Sequence, residues 1–259
     1  FNGIYSMEVT FENHVPFASA VFSVSGERLN LRPVKFRNNI ELWLANIEET
    51  IVGTMKTEMK NSKAKFSEMI REDWISVQTS QLAFSISQTE WQFRAETCFQ
   101  AVNPIQAFTD LLNEIDQKVS NLMKLTHLDL RDNERDKISS LIQLDLHFRD
   151  IVSSLINKNI TSPNDYEWKK NFMLKWDDLS KELIAIQFND VFKYGYEFIT
   201  SQRIQIITPQ YEKCQSALSL TLAKNYGGIL FGPSGVGKTE MIKDLAKSLG
   251  YYYVVISCG

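Results

Sequence analysis

The first 37 or so residues carry their apolar side chains in short runs, "IYSMEVTF" and "ASAVFSV", rich in β-branched and aromatic types. Ser25-Gly26-Glu27 follows as a turn, so this segment is predicted to be extended. The spacing then becomes helical. Ile40, Trp43, Leu44, Ile47, Ile51, Met55 and Met59 fall on one helix face. Ile105, Phe108, Leu111, Leu112, Ile115, Val119 and Leu122 mark a second face, and Ile138, Leu141, Ile142, Ile151, Val152 and Leu155 a third. A further helix is expected between Trp74 and Phe99, ahead of Pro104. Thr161-Ser162-Pro163-Asn164-Asp165 is a loop whose capping residues precede "YEWKKNFMLKW". Residues 38 to about 190 are therefore expected to form an elongated helical layer, its tryptophans (Trp43, Trp74, Trp91, Trp168, Trp176) packed in the core.

Near Tyr194-Gly195-Tyr196-Glu197 the character changes. "RIQIITP" is a short apolar segment closed by Pro209, and "YEKCQSALSLTLAKN" has helical periodicity through Cys214, Ala217, Leu218 and Leu222. Gly228-Ile229-Leu230-Phe231 is expected to be a buried strand. Next comes Gly232-Pro233-Ser234-Gly235-Val236-Gly237-Lys238-Thr239, which fits G-x-x-x-x-G-K-[ST] at every constrained position. Glycines let such a loop turn tightly and aim successive N–H groups at phosphate oxygens. Lys238 is placed to reach the β- and γ-phosphates, and the Thr239 hydroxyl to ligate Mg²⁺. Met241, Ile242, Leu245 and Leu249 continue as a helix whose N-terminus adds its positive dipole end, and Gly250 is its stop. Tyr251-Tyr252-Tyr253-Val254-Val255-Ile256 is expected to be a strand. A glycine-rich turn with a chance lysine would lack this strand–loop–helix–strand context.

Composition narrows the classes. The 259 residues are 44% hydrophobic and 23% charged, enough for one large domain or two smaller ones. The net charge of −3 gives no basis for capture of nucleic acid or an anionic membrane. No uncharged apolar run reaches membrane-spanning length, and no signal-peptide pattern opens the chain. Cys98, Cys214 and Cys258 lack the spacing of a disulfide framework or a zinc site, which points to a reducing compartment. His14, His127 and His147 are scattered and fit surface or core positions. The run Arg131 to Lys137 reads as a solvated turn and helix start, and the pair Asp177–Asp178 as solvated surface. A chain that begins at Phe1 and stops just past a strand is expected to be an excerpt of a longer polypeptide.

The joined pattern resembles a dynein heavy chain. "YGYEFITSQRIQIITPQYEKC" matches a stretch where that family has Tyr-Gly-Tyr-Glu-Tyr and then Ile-Thr-Pro. "GGILFGPSGVGKTEMIKDLAKSLG" matches its first phosphate loop, with Ser234 and Val236 standing where Ala and Thr are usual, both unconstrained positions. "SGERLNLRPVKFRNNIELWL", "SISQTEW", "LIQLDLHFRDIVSSLI" and "NDYEWKKNFMLKWDD" resemble, in that order, the C-terminal part of the dynein linker. The last departs from it at Phe172 to Trp176. A P-loop kinase or a generic AAA+ remodeller with a helical N-terminal domain would explain residues 228–256 but not this ordered match; a helical scaffold whose P-loop binds nucleotide only structurally is the other alternative, separated by whether an apolar strand ending Asp-Glu follows Gly259.

The resemblance implies a mostly α-helical linker at 1–193 and the start of an α/β P-loop AAA+ module at 194–259, the first and main hydrolytic one of six. It implies ATP or ADP with Mg²⁺ as cofactors, bound by Gly232 to Thr239 and Glu240, with the backbone of Ile206, Ile207, Thr208 and Pro209 against the adenine. The acidic Asp-Glu strand, sensor residues and arginine finger would lie beyond Gly259, so that Lys238 and Thr239 are one half of a catalytic site. Implied partners are the other AAA+ modules, other dynein heavy, intermediate and light chains, and microtubules touched through other regions; no nucleic acid and no membrane are expected. "TEMIKDLAKSLGYYYVVISC" is closer to the axonemal style, which implies cytoplasm and cytoskeleton, in the axoneme of a cilium or flagellum; the alternative is a cytoplasmic dynein heavy chain for minus-end transport.

Overall fold

The computed structural model describes residues 3–36, 39–199 and 207–258. The chain divides into two compact units. The first takes in the described residues of Phe1–Ala83, Gly195–Gln202 and Ala246–Gly259. The second is Phe84–Tyr194 with the described residues of Arg203–Leu245.

In the first unit, β1 (Ile4–Glu12), β2 (Val15–Ser23) and β3 (Arg28–Lys35) form an antiparallel meander in that order. Asn13 and His14, both at positive φ (49° and 65°), make the tight turn between the first two strands, the conformation that matches strand twist. The expected turn after Ser23 is present: the Gly26 N–H donates to the Ser23 carbonyl at 3.0 Å. Ala18, Ala20 and Val21 of β2 and Leu29, Leu31 and Val34 of β3 are buried.

Helix α1 (Ile40–Phe66) packs on β3. Asn39 caps it by accepting from the Glu41 N–H at 3.0 Å, and Lys63 and Lys65 sit at its negative end. Of the predicted face, Ile47, Ile51, Met55 and Met59, spaced by four, are buried, while Trp43 and Leu44 are half-buried and Ile40 is exposed. The expected helix from Trp74 to Phe99 is two: α2 (Arg71–Val77) and α3 (Ser80–Phe99). Glu27 begins the second of them from outside, accepting from both the N–H (2.8 Å) and the hydroxyl (2.6 Å) of Ser80. Trp74 is fully buried and donates its ring N–H to the Ser62 carbonyl at 3.0 Å.

In the second unit, α4 (Pro104–Leu125) and α5 (Asp132–Asn157) pack along each other with their predicted faces buried. Trp91 stacks on Phe148, ring centroids 4.1 Å apart, while the Trp168 ring lies 5.7 Å from Trp91 and 5.2 Å from Phe99. These two tryptophans and Trp74 are core, as expected, whereas Trp43 and Trp176 are only half-buried.

The helical layer is not continuous to residue 190. After the four-residue helix α6 (Tyr166–Lys169) the chain forms β4 (Met173–Asp177), β5 (Glu182–Gln187) and β6 (Asp190–Lys193), a second antiparallel sheet. The reason is a period-2 pattern: along β5, Leu183, Ala185 and Gln187 are buried and their neighbours are not. Asp177 is a turn former here, accepting from the Leu179 and Ser180 N–H groups. Two C-terminal helices follow, α7 (Pro209–Ala223) and α8 (Lys238–Ser248). Among the described residues no helix is long and apolar enough to cross a membrane.

Both strands expected around the phosphate loop are absent. Residues 228–231 and 251–256 form no ladder, and Ile229, Phe231, Val254 and Ile256 are exposed. Apolar, β-branched content favours a strand only when a neighbouring strand takes up its N–H and C=O groups, and none of the described residues does so here.

Candidate functional site

The phosphate loop lies in the second unit. Gly235 and Gly237 both take left-handed backbone angles (φ 82° and 84°), which bulkier residues resist, and a Cβ on either would meet nothing within 4 Å. Alternating left- and right-handed residues turn successive N–H groups to one side, the arrangement that gathers an anion. The loop runs straight into α8: Lys238 is the first helical residue, and the Met241 N–H donates to the Gly237 carbonyl at 3.0 Å. The first turn of α8, with the dipole's positive end, thus follows the loop directly. Lys238 Nζ arches back over the loop, donating to the carbonyls of Gly232 (2.9 Å) and Pro233 (2.5 Å). Thr239, the next residue, is exposed. The predicted helix of 238–249 is present as Lys238–Ser248, with Gly250 (φ 65°) in the turn that follows.

The remaining predicted residues divide. Pro233, Ser234 and Val236 form the exposed rim of the loop. Glu240 is paired with Lys243 at 2.7 Å on the surface of α8. Thr208 caps α7 by accepting from the Tyr211 N–H at 3.2 Å, and Pro209 fills the first helical position, where its missing N–H costs nothing. Ile207 is half-buried beside them, and Ile206 lies outside the described residues.

One contact was not legible in the local pattern. The Tyr211 hydroxyl donates to Asp244 Oδ2, joining the first turn of α7 to the middle of α8. Tyr211 is buried, and burial together with the Asp244 charge pushes its phenol well above the usual tyrosine range, so it stays a donor. The middle of α7 is held as well: the Gln187 amide donates to Ser216 Oγ at 3.2 Å, and the Ser219 hydroxyl donates to Gln187 Oε1.

In the first unit, residues 195–199 are clamped from two directions. The N–H groups of Gly195 and Glu197 donate to the carbonyls of Leu249 and Gly250, each at 2.9 Å. Fully buried Gln81 of α3 donates to the Glu197 carbonyl (2.8 Å) and accepts from the Ile199 N–H (3.0 Å). A glycine at 195 has one general rationale, the backbone freedom of any glycine. The structure gives another reason: a Cβ there would lie 2.4 Å from the Gly250 carbonyl oxygen and 2.4 Å from the Tyr251 ring.

Residues 194–259 match the family described as the hydrolytic ATP binding site of the dynein motor region. Similarity to curated proteins extends further. The chain is 30% identical over 243 residues to human dynein axonemal heavy chain 6, covering 92% of this chain and 6% of that one. It is 32% identical over 245 residues to the gamma chain of the Chlamydomonas reinhardtii flagellar outer arm (92% and 5%). It is 29% identical over 269 residues to the dynein-1-beta heavy chain of the same organism's inner arm I1 complex (100% and 6%). The chain thus spans about one-twentieth of the length of these relatives. By a similarity that runs through its helical part and its phosphate loop alike, the chain belongs with the dynein heavy chains.

Proposed function

We propose that the loop Gly232–Thr239 binds the phosphates of ATP or ADP with Mg²⁺, and that in the whole heavy chain it serves the main hydrolytic module of an axonemal microtubule motor. The observation that carries this reading is the left-handed pair Gly235 and Gly237 leading into α8 with Lys238 arched over the loop. The matched family description, with its hydrolytic ATP site, supports it. The axonemal and flagellar names of the relatives support a place in the cytoskeleton of a cilium or flagellum.

The residues present fit the ligand. Backbone N–H groups of the loop and of the first turn of α8 hold the phosphate oxygens, and Lys238 supplies a mobile positive charge. Glu240 follows them on α8, and the backbone of Ile207 to Pro209 is the stretch assigned to the base. Mg²⁺, when bound, offsets phosphate charge, and Thr239 Oγ1 is the side chain that would ligate it. Acidic strand, sensors and arginine finger come from elsewhere in the motor, together with the other AAA+ modules and the partner heavy, intermediate and light chains. Residues 1–193 act as the C-terminal part of a linker whose swing delivers force to the microtubule-bound motor. The γ-phosphate can bias that swing only through unequal affinity for the two linker states.

The test is ATP titration of the wild-type chain and Lys238→Ala. Loss of the ammonium leaves phosphate charge uncompensated, and affinity should fall at least about tenfold. Unchanged affinity overturns the reading.

A further inference from the structure

We infer that the Tyr211–Asp244 hydrogen bond fixes the separation between the base-binding and phosphate-binding halves of the nucleotide site; this rests on the nucleotide reading above. The two residues are far apart in sequence and come from different helices, and neither belongs to the phosphate-loop motif. Each is anchored to one half of the site. Tyr211 is three residues from Thr208, whose hydroxyl accepts its N–H, and the nucleotide reading assigns the backbone of 207–209 to the base. Asp244 sits on α8, the same rigid helix whose first residues are Lys238 and Thr239.

A helix is stiff over this length, so the bond transmits position. If Tyr211 and Asp244 separate, α7 can shift against α8 while each half keeps its own local geometry. The phosphate cradle remains intact because Gly235, Gly237 and the start of α8 do not depend on the bond. What is lost is the registration of the two halves, which only a ligand long enough to touch both can sense. A ligand held at both ends gains from a preset spacing, and loses when the spacing must be found on binding.

The arrangement is durable for two reasons. Tyr211 is buried and its hydroxyl has a charged acceptor, which makes an unusually strong bond. Further along, α7 is pinned through Gln187 to Ser216 and Ser219, so the helix pivots at its N-terminal turn if Tyr211 lets go.

The experiment compares ATP with inorganic tripolyphosphate, which occupies the phosphate cradle alone, on the purified chain. Tyr211→Phe should weaken ATP about tenfold while tripolyphosphate changes less than about twofold, the size expected for a charge-assisted hydrogen bond. Asp244→Leu removes the acceptor from the other side and should give the same split. Asp244→Asn keeps an oxygen that accepts the phenol proton, and should hold ATP affinity within about threefold of wild type. Equal losses for both ligands, or no loss for either, overturn the positioning role. A wild-type chain that binds tripolyphosphate but shows no preference for ATP overturns it as well. A wild-type chain that binds neither overturns the nucleotide reading itself.

Discussion

Gly195 and Gly250 lie so close that a Cβ on the first would sit 2.4 Å from the carbonyl oxygen of the second. That oxygen is backbone, held by the Glu197 N–H at 2.9 Å, and cannot swing aside as a side chain could. The segment joining the proposed linker to the ATPase module is thus tied to the end of the phosphate-loop helix by two backbone hydrogen bonds, and to α3 by Gln81.

Gly195→Ala should therefore destabilise the chain by about 1–3 kcal/mol, the usual size of an overpacking penalty, read as a shift in urea midpoint. In the full motor, Gly195→Val should lower gliding velocity more than ATPase rate, because it disturbs the tie between the phosphate-loop helix and the joining segment and leaves the loop alone. An alanine variant as stable as wild type would show that the close approach is not limiting. ATPase and velocity falling in proportion would remove the coupling role.

A pH dependence should reside at His147. Burial pushes its imidazole below the ordinary value near 6.5, against the opposing pull of Glu212 and Asp150. As pH falls below that value, the unfolded chain takes up the proton before the folded one does. Stability is present above the unfolded value and is lost as pH drops toward the folded one. Between pH 7 and pH 5, wild type should lose more stability than His147→Gln in paired urea titrations. Parallel losses would place the pH sensitivity elsewhere.

What the sequence made legible was whatever repeats locally. The stripes of α1, α4 and α5 recur every three or four residues, and the loop from Gly232 to Thr239 carries its chemistry in consecutive positions. The second sheet was hidden because "YEWKKNFMLKW" is dense in residues that helices also bury; the alternation that betrays it lies further on, in "ELIAIQ". The runs 228–231 and 251–256 have strand composition, but a strand is a relation between two segments, and composition describes only one. Tyr211–Asp244 and Gln81 with residues 197–199 are contacts across 33 and more than 100 residues. Neither leaves a trace in local spacing.

Thr239 offers the sharpest separation of metal from nucleotide. It is the second residue of α8, exposed, next to Lys238. Thr239→Val keeps the branched shape and deletes the hydroxyl, at a helix-propensity cost of only a few tenths of a kcal/mol. If the hydroxyl ligates Mg²⁺, its loss matters only when Mg²⁺ is present. Nucleotide affinity measured in chelator should stay within about threefold of wild type, because the loop N–H groups and Lys238 still hold the phosphates. With Mg²⁺ added, wild type should gain affinity and the variant should not, leaving them about tenfold or more apart, as for loss of one charge-assisted contact. In the full motor, Mg²⁺-dependent hydrolysis should fall with it. A general distortion of the loop would weaken binding equally with and without the metal, and that result would remove Thr239 as a ligand.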